Sequence, residues 1–342
     1  MNTFKKLSLD KAPRGFFPVV AALSGNFILM IAKFFGFFIS GSVAMFSEAI
    51  HSLADTMNQA LLLIGINRSQ KGEDEEHSYG YGHERFVWAL ISACGVFFLG
   101  AGITLYKGIM TLIHPEEVLL SPIVFIILIL ALVTEIFTFY VAYRELMKNS
   151  RGLSFSKTLK EGDPVTIAVL YEDAIAILGV LTALIGITFS YYTGSHYGDA
   201  ISSIIIGLML AYVAIVLINK NREILTGRSM PEDMKENIIA LLEAEPAIEK
   251  VINFKSTYLN IGEYMIKCEV EFNGSALLVE VREAGGLRDD FELVRESFPE
   301  FARFCADFID RIPRIIGNKI DEIESKIQAD FPEVKYIDIE IN

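Results

Sequence analysis

An α-helical membrane domain of six spans followed by a small cytoplasmic α+β domain is the fold class this sequence predicts, on three observations. Of its 342 residues, 52% are hydrophobic and the mean hydropathy is +0.41, more apolar than an ordinary soluble chain of that length. The apolar residues are gathered into six runs long enough to cross a bilayer, each needing about 20 residues. After Lys220 the composition turns polar. The expected division is a transmembrane domain over 1–220 and a cytoplasmic domain over 221–342.

The runs cover 16–38, 43–66, 86–111, 122–142, 165–191 and 199–219. Glycine and serine within them are ordinary for membrane helices that pack closely. The intervening charges orient the bundle. Lys5, Lys6, Lys11 and Arg14 precede the first span, Arg68, Lys71 and Arg85 lie between the second and third, and Arg144, Lys148, Arg151, Lys157 and Lys160 lie between the fourth and fifth. The loops 112–121 and 192–198 contain neither Lys nor Arg. The positive-inside rule therefore puts both termini in the cytoplasm. The first run lacks a small-residue cleavage site and reads as a retained span. The residues before it lack the Arg- and Ser-rich, acid-poor character of an organelle leader, so the expected location is a prokaryotic inner membrane.

Beyond the sixth span, Pro231-Glu232-Asp233-Met234 opens a helix to about Glu245, with acidic residues in its first turn as the dipole prefers. Alternating runs at Val251–Tyr258 and Glu263–Phe272, separated by Asn260-Ile261-Gly262, predict a hairpin. Helices are expected over 287–311 and 314–330, and Val334 to Ile341 alternates as a final strand. Helix, two strands, helix and strand make an α+β domain of the ferredoxin-like kind, with a polar surface suited to the cytoplasm.

Composition also excludes several functions. The net charge of −13 gathers largely in the last third, without the clustered basic face that a nucleic-acid partner calls for. Cys94, Cys268 and Cys305 are far apart and form no CxxC, so neither a disulfide framework nor a thiolate metal site is expected. No HExxH, nucleophile elbow or phosphate loop occurs in a fitting context, which speaks against an enzyme.

The candidate site begins with the second span. His51 and Asp55 are four apart, on one helical face, and Glu48 extends the stripe one turn earlier. Ionisable groups within a span are costly and mark ion or proton paths by default. The fourth span contributes Glu135, near its middle, as a functional or structurally paired group. Glu172 and Asp173 of the fifth span point about 100° apart and both need partners. Lys33 is expected to snorkel or to pair with a carboxylate, Asp199 to cap free N–H groups at a helix start, and Asn26, Asn58 and Gln59 to bond between helices. Imidazole nitrogen and carboxylate oxygen are zinc ligands, and the same set suits Mn, Fe, Co or Ni. His51, Asp55 and Asp173 supply three ligands; Glu172, Glu135 or water completes the set. Such ligands bind metal only when deprotonated, so metal and protons are inherently coupled, with His51 the natural proton carrier.

Ser42 to Asp55 (SVAMFSEAIHSLAD), the loop His77-Ser78-Tyr79-Gly80-Tyr81-Gly82 and Leu170-Tyr171-Glu172-Asp173 resemble the cation diffusion facilitators. Thr134-Glu135, Leu225-Thr226-Gly227-Arg228-Ser229 and Pro332-Glu333-Val334 point to the branch typified by the mitochondrial zinc transporter 9 of animals. The resemblance runs over nearly the whole chain. It implies a homodimeric metal/proton antiporter that carries Zn2+ as substrate and H+ as counter-ion, with no permanently bound cofactor. It also adds a mitochondrial membrane as the alternative location. His51 and Asp55 match the family's second-helix ligand pair and Asp173 the second member of its fifth-helix pair. The first member falls on Val169, which cannot ligate, and Glu172-Asp173 and Glu135 are features of the branch. Asp74 and His77 match two positions of a loop metal site found in some members, with Tyr81 at the third; a solvated acidic loop is the alternative. The C-terminal domain contains no histidine, so dimerisation is its expected role. The expected function is export of Zn2+ from the cytoplasm against protons. The alternatives are an exporter of Mn2+, Fe2+, Co2+ or Ni2+ and a transport-inactive membrane scaffold.

Overall fold

The computed structural model describes residues 16–115, 121–148, 164–283, 287–295 and 297–342. The basic residues Lys5, Lys6, Lys11, Arg14, Arg151, Lys157 and Lys160, on which much of the orientation rests, lie outside them, as does the side chain of Val169. The chain divides into two compact units, residues 1–226 and 227–342.

Among the described residues the first unit holds six long helices: α1 (Phe16–Ser40), α2 (Val43–Ser69), α3 (Glu84–Ile113), α4 (Pro122–Lys148), α5 (Pro164–Thr193) and α6 (Tyr197–Leu225). All but α2 meet the length and apolarity needed to cross a membrane. With 27 residues α2 is long enough, and its polar stripe is what lowers its apolarity. Packing resolves the conflict, because α2 lies against α1, α3, α5 and α6, so protein rather than lipid surrounds the stripe. Each helix contributes to one core through Leu29, Met45, Val96, Leu128, Val180 and Ile206 in turn. Outward residues such as Phe38 (78% exposed) and Ile185 (70%) are apolar, as lipid contact requires. Gly41, at φ +66°, makes the tight α1–α2 turn that a side chain would strain. Within α3, Val96–Ala101 forms a π-helical turn, a feature frequent at functional sites.

The second unit contains α7 (Glu232–Glu243), β1 (Ile248–Asn260), β2 (Glu263–Phe272), α8 (Gly274–Glu283), α9 (Leu287–Val294), α10 (Phe298–Asp330) and β3 (Val334–Ile341). The sheet order is β1-β2-β3, with β1 antiparallel and β3 parallel to β2. Ile266, Cys268 and Val270 of β2 are buried with Ile238 and Leu242 of α7 and Ile323 and Ile327 of α10. Between them stands Lys267, half-exposed and paired with Asp338 and Glu340 of β3. This alternation is what period-2 patterning predicts for a sheet covered on one face.

Two expectations need correction. The helix expected over 287–311 is broken before Phe298, where Pro299 sits in the first turn of α10, a position that suits proline because its missing N–H is unpaired there anyway. The expected break near 313 is absent: α10 runs through Pro313. Ile309 is 66% exposed, so water can take the carbonyl that Pro313 leaves without a donor. The helix α8 was not anticipated, although Asn273 opens it by accepting the N–H groups of Ser275 and Ala276.

Candidate functional site

The ionisable residues of α2, α4 and α5 lie within electrostatic range of one another, with α5 packed against both α2 and α4. His51 is 4% exposed and Glu135 6%. His51 Nε2 stands 3.7 Å from Asp55 Oδ2, beyond hydrogen-bond reach. Asp173 is within electrostatic range of Glu135 and Asp55 and hydrogen bonds with the Thr138 hydroxyl, one turn beyond Glu135. Glu135 in turn interacts with Lys33, Asp55, His51 and Glu48. Glu172 is near Asp55 and Asp173 and its Oε1 accepts Asn58 Nδ2 at 2.9 Å, so Asn58 bonds between helices as expected.

Both ring nitrogens of His51 and Oδ2 of Asp173 are buried without a hydrogen-bond partner. Buried polar groups are nearly always paired, so these three unpartnered atoms set His51 and Asp173 apart within this group of ionisable residues. As the side chains stand, no three His, Cys, Asp or Glu among the described residues are close enough to hold a metal ion.

In two supporting arrangements the structure names partners that the sequence leaves open. Asp199, in the first turn of α6, does not cap its own helix. Its Oδ1 accepts Ser42 Oγ at 2.6 Å and the Ala44 N–H at 3.2 Å, and Oδ2 accepts the Val43 N–H at 2.6 Å. The carboxylate therefore caps α2, the helix that carries His51 and Asp55. Ser47 and Ser203 hydroxyls, 2.7 Å apart, repeat the α2–α6 link one turn deeper. Lys33 does pair with a carboxylate, and that carboxylate is Glu48: Nζ lies 2.9 Å from Oε2. The only sequence signal for either arrangement was an ionisable residue in an apolar run, which does not name the partner.

In the loop, Asp74 Oδ2 accepts Lys71 Nζ at 2.6 Å and Tyr81 OH at 2.9 Å, while Oδ1 accepts the N–H groups of Glu76 and His77. The bonds from Lys71 and Tyr81 hold the Asp74 carboxyl well below the usual range. His77 stacks on Tyr81 with ring centroids 4.0 Å apart. Both carboxylate oxygens are thus used in closing the loop.

The sequence model of the cation efflux transmembrane domain matches residues 19–226. A human protein named proton-coupled zinc antiporter SLC30A9, mitochondrial, is 35% identical over 332 residues, which cover 94% of this chain and 58% of its own. Metal tolerance protein C4 of Arabidopsis thaliana is 30% identical over 330 residues, 94% of this chain and 72% of its own. An uncharacterized transporter of Methanocaldococcus jannaschii is 28% identical over 237 residues, 69% of this chain and 77% of its own. The chain thus spans 58% of the length of the human relative it matches.

Proposed function

Since the chain belongs to the cation diffusion facilitator family, in its zinc transporter 9 branch, we propose that it is a divalent metal/proton antiporter whose preferred cargo is Zn2+. The observation that carries this reading is the electrostatic grouping of His51, Asp55, Glu135, Glu172 and Asp173 inside the bundle, with both His51 nitrogens and Asp173 Oδ2 lacking a hydrogen-bond partner. The names of the human and Arabidopsis relatives, zinc antiporter and metal tolerance protein, support the cargo class.

In this mechanism Asp55 and Asp173 are ionised and His51 neutral when the site opens to the cytoplasm, and these groups capture the ion. Rocking of the helices exposes the site to the other side, where protonation of the same groups releases the cargo. The protons return as the carrier resets. Glu135 is our fourth ligand, because it is the carboxylate nearest in electrostatic influence to Asp173, whereas Glu172 is occupied by Asn58. Asp74 and His77 we assign to loop closure. The chain works as a homodimer with both termini cytoplasmic. Of the two membranes considered, the mitochondrial one has the support of the animal relatives' names.

Reconstitution into liposomes with an internal zinc dye and an imposed pH gradient tests the proposal. Asp55→Ala and Asp173→Ala are expected to bring the dye response to background. A response unchanged by both substitutions rejects antiport at this site. Competition by Mn2+, Fe2+, Co2+ or Ni2+ orders the cargo, and a chain that moves no metal is the scaffold.

A further inference from the structure

Among the described residues Lys33 is the only lysine or arginine that is buried, and both it and Glu48 are 0% exposed. Glu48 lies one helical turn before His51, so the Lys33–Glu48 pair borders the candidate site. The other carboxylates within electrostatic range of Lys33 are Glu135 and Asp55. Space for the pair comes from Gly179 of α5, where a Cβ would stand 2.6 Å from Glu48 Oε1. That oxygen has no hydrogen-bond partner, so Glu48 is spent on Lys33 through one oxygen alone.

Stability does not explain the pair. Two charges taken out of water recover their desolvation cost only with excellent geometry and further hydrogen bonds, and an apolar pair of similar volume often does as well. The location does suggest a purpose. An ammonium on a flexible four-carbon stem, beside carboxylates that must bind a cation, is itself a cation tethered at high effective concentration. Left unrestrained, it competes with the cargo.

We propose that Glu48 is a positioning residue that parks the Lys33 ammonium, keeping this tethered cation off Asp55 and Glu135 so that they remain open to a divalent ion. The proposal rests on the antiport reading above. With Glu48 ionised, the pair is close to neutral and the ligands present their own charge to the cargo. With that charge removed, Lys33 turns to the ligands, and apparent zinc affinity falls.

The test measures zinc uptake by the full chain in proteoliposomes over a range of zinc concentrations. Wild type is compared with Glu48→Gln, Lys33→Met and the double variant, with Asp55→Ala as the transport-negative control. Glu48→Gln is expected to raise the KM for zinc by at least about tenfold, with a smaller change in turnover. Lys33→Met in that background removes the competitor and is expected to return the KM to within about threefold of wild type. A purely structural role predicts instead a lower melting temperature and less active carrier in Glu48→Gln, read as reduced turnover at an unchanged KM. An unchanged KM in Glu48→Gln, or no recovery in the double variant, overturns the proposal. The double variant leaves no uncompensated buried charge, so it remains informative where a single variant fails to fold. A KM within about threefold of wild type then supports the proposal and a larger rise overturns it. Zinc binding to the purified full chain, measured by calorimetry, reads the same order of variants as Kd without transport. A failure of antiport is thereby separated from a failure of the pair.

Discussion

His51 occupies a costly position: both nitrogens are buried and unpaired, and each such group costs about 1–3 kcal/mol. A site that binds cargo relieves that cost, so zinc is expected to raise the thermal stability of the purified protein, by about 2.7 kcal/mol at a hundredfold excess over Kd. The shift should vanish in Asp55→Ala. Among the carboxylates, Glu135→Gln is expected to lower zinc affinity by at least about tenfold, the minimum seen when even an outer partner of a metal is lost. Glu172→Gln should change it less, because its bond from Asn58 survives as an amide contact. Equal losses in a zinc titration would remove Glu135 from its assigned place. In the C-terminal unit, burial pushes the Cys268 thiol up to about 12. At pH 8 it is expected to resist a maleimide until the protein is denatured, while the half-buried Cys305 of the same unit reacts. Rapid labelling of Cys268 in the folded protein would show that the sheet core is looser than described. The stripe of His51 and Asp55 was legible in the sequence because a charge within an apolar run has no ordinary explanation. The partners of Lys33 and Asp199 were not, since each lies across a packing interface that helix periodicity does not encode.

At the scale of elements, six apolar runs and a hairpin were readable because length and period each have one dominant physical cause. The second of those runs illustrates the limit. Its polar stripe argues against lipid contact, and only the packing of α1, α3, α5 and α6 around it reconciles the two. The misplaced boundaries in the C-terminal unit arose at prolines, which start one helix at Pro299 and are tolerated within the same helix at Pro313. Asp199 gives this level its sharpest prediction. Asp199→Ala strands the donors of Ser42, Val43 and Ala44 and should destabilise the bundle by about 1–3 kcal/mol, read as a lower melting temperature in detergent. Asp199→Asn keeps one acceptor and should lose less. Gly186→Ala is expected to separate α5 from α6, because its Cβ would stand 2.7 Å from the Gly198 carbonyl oxygen, and backbone cannot step aside as a side chain can. A melting temperature equal to wild type in both would mean that this end of the bundle is not held as described.

Across the whole molecule, the proposed exchange belongs to the membrane unit, and the second unit contains no histidine. Its assigned role as a dimer contact predicts a native mass of twice 38.2 kDa in detergent, corrected for bound lipid. His51, Asp55 and Asp173 are proposed to exchange a divalent ion for protons inside the bundle. The most direct measurement of that exchange is zinc-driven proton movement in proteoliposomes at zero membrane potential, with a pH dye on one side. Added zinc is expected to move protons in the direction opposite to its own, and Asp55→Ala and Asp173→Ala should abolish both fluxes together. Zinc movement without a proton signal, or proton coupling that survives both substitutions, would rule out exchange at these residues.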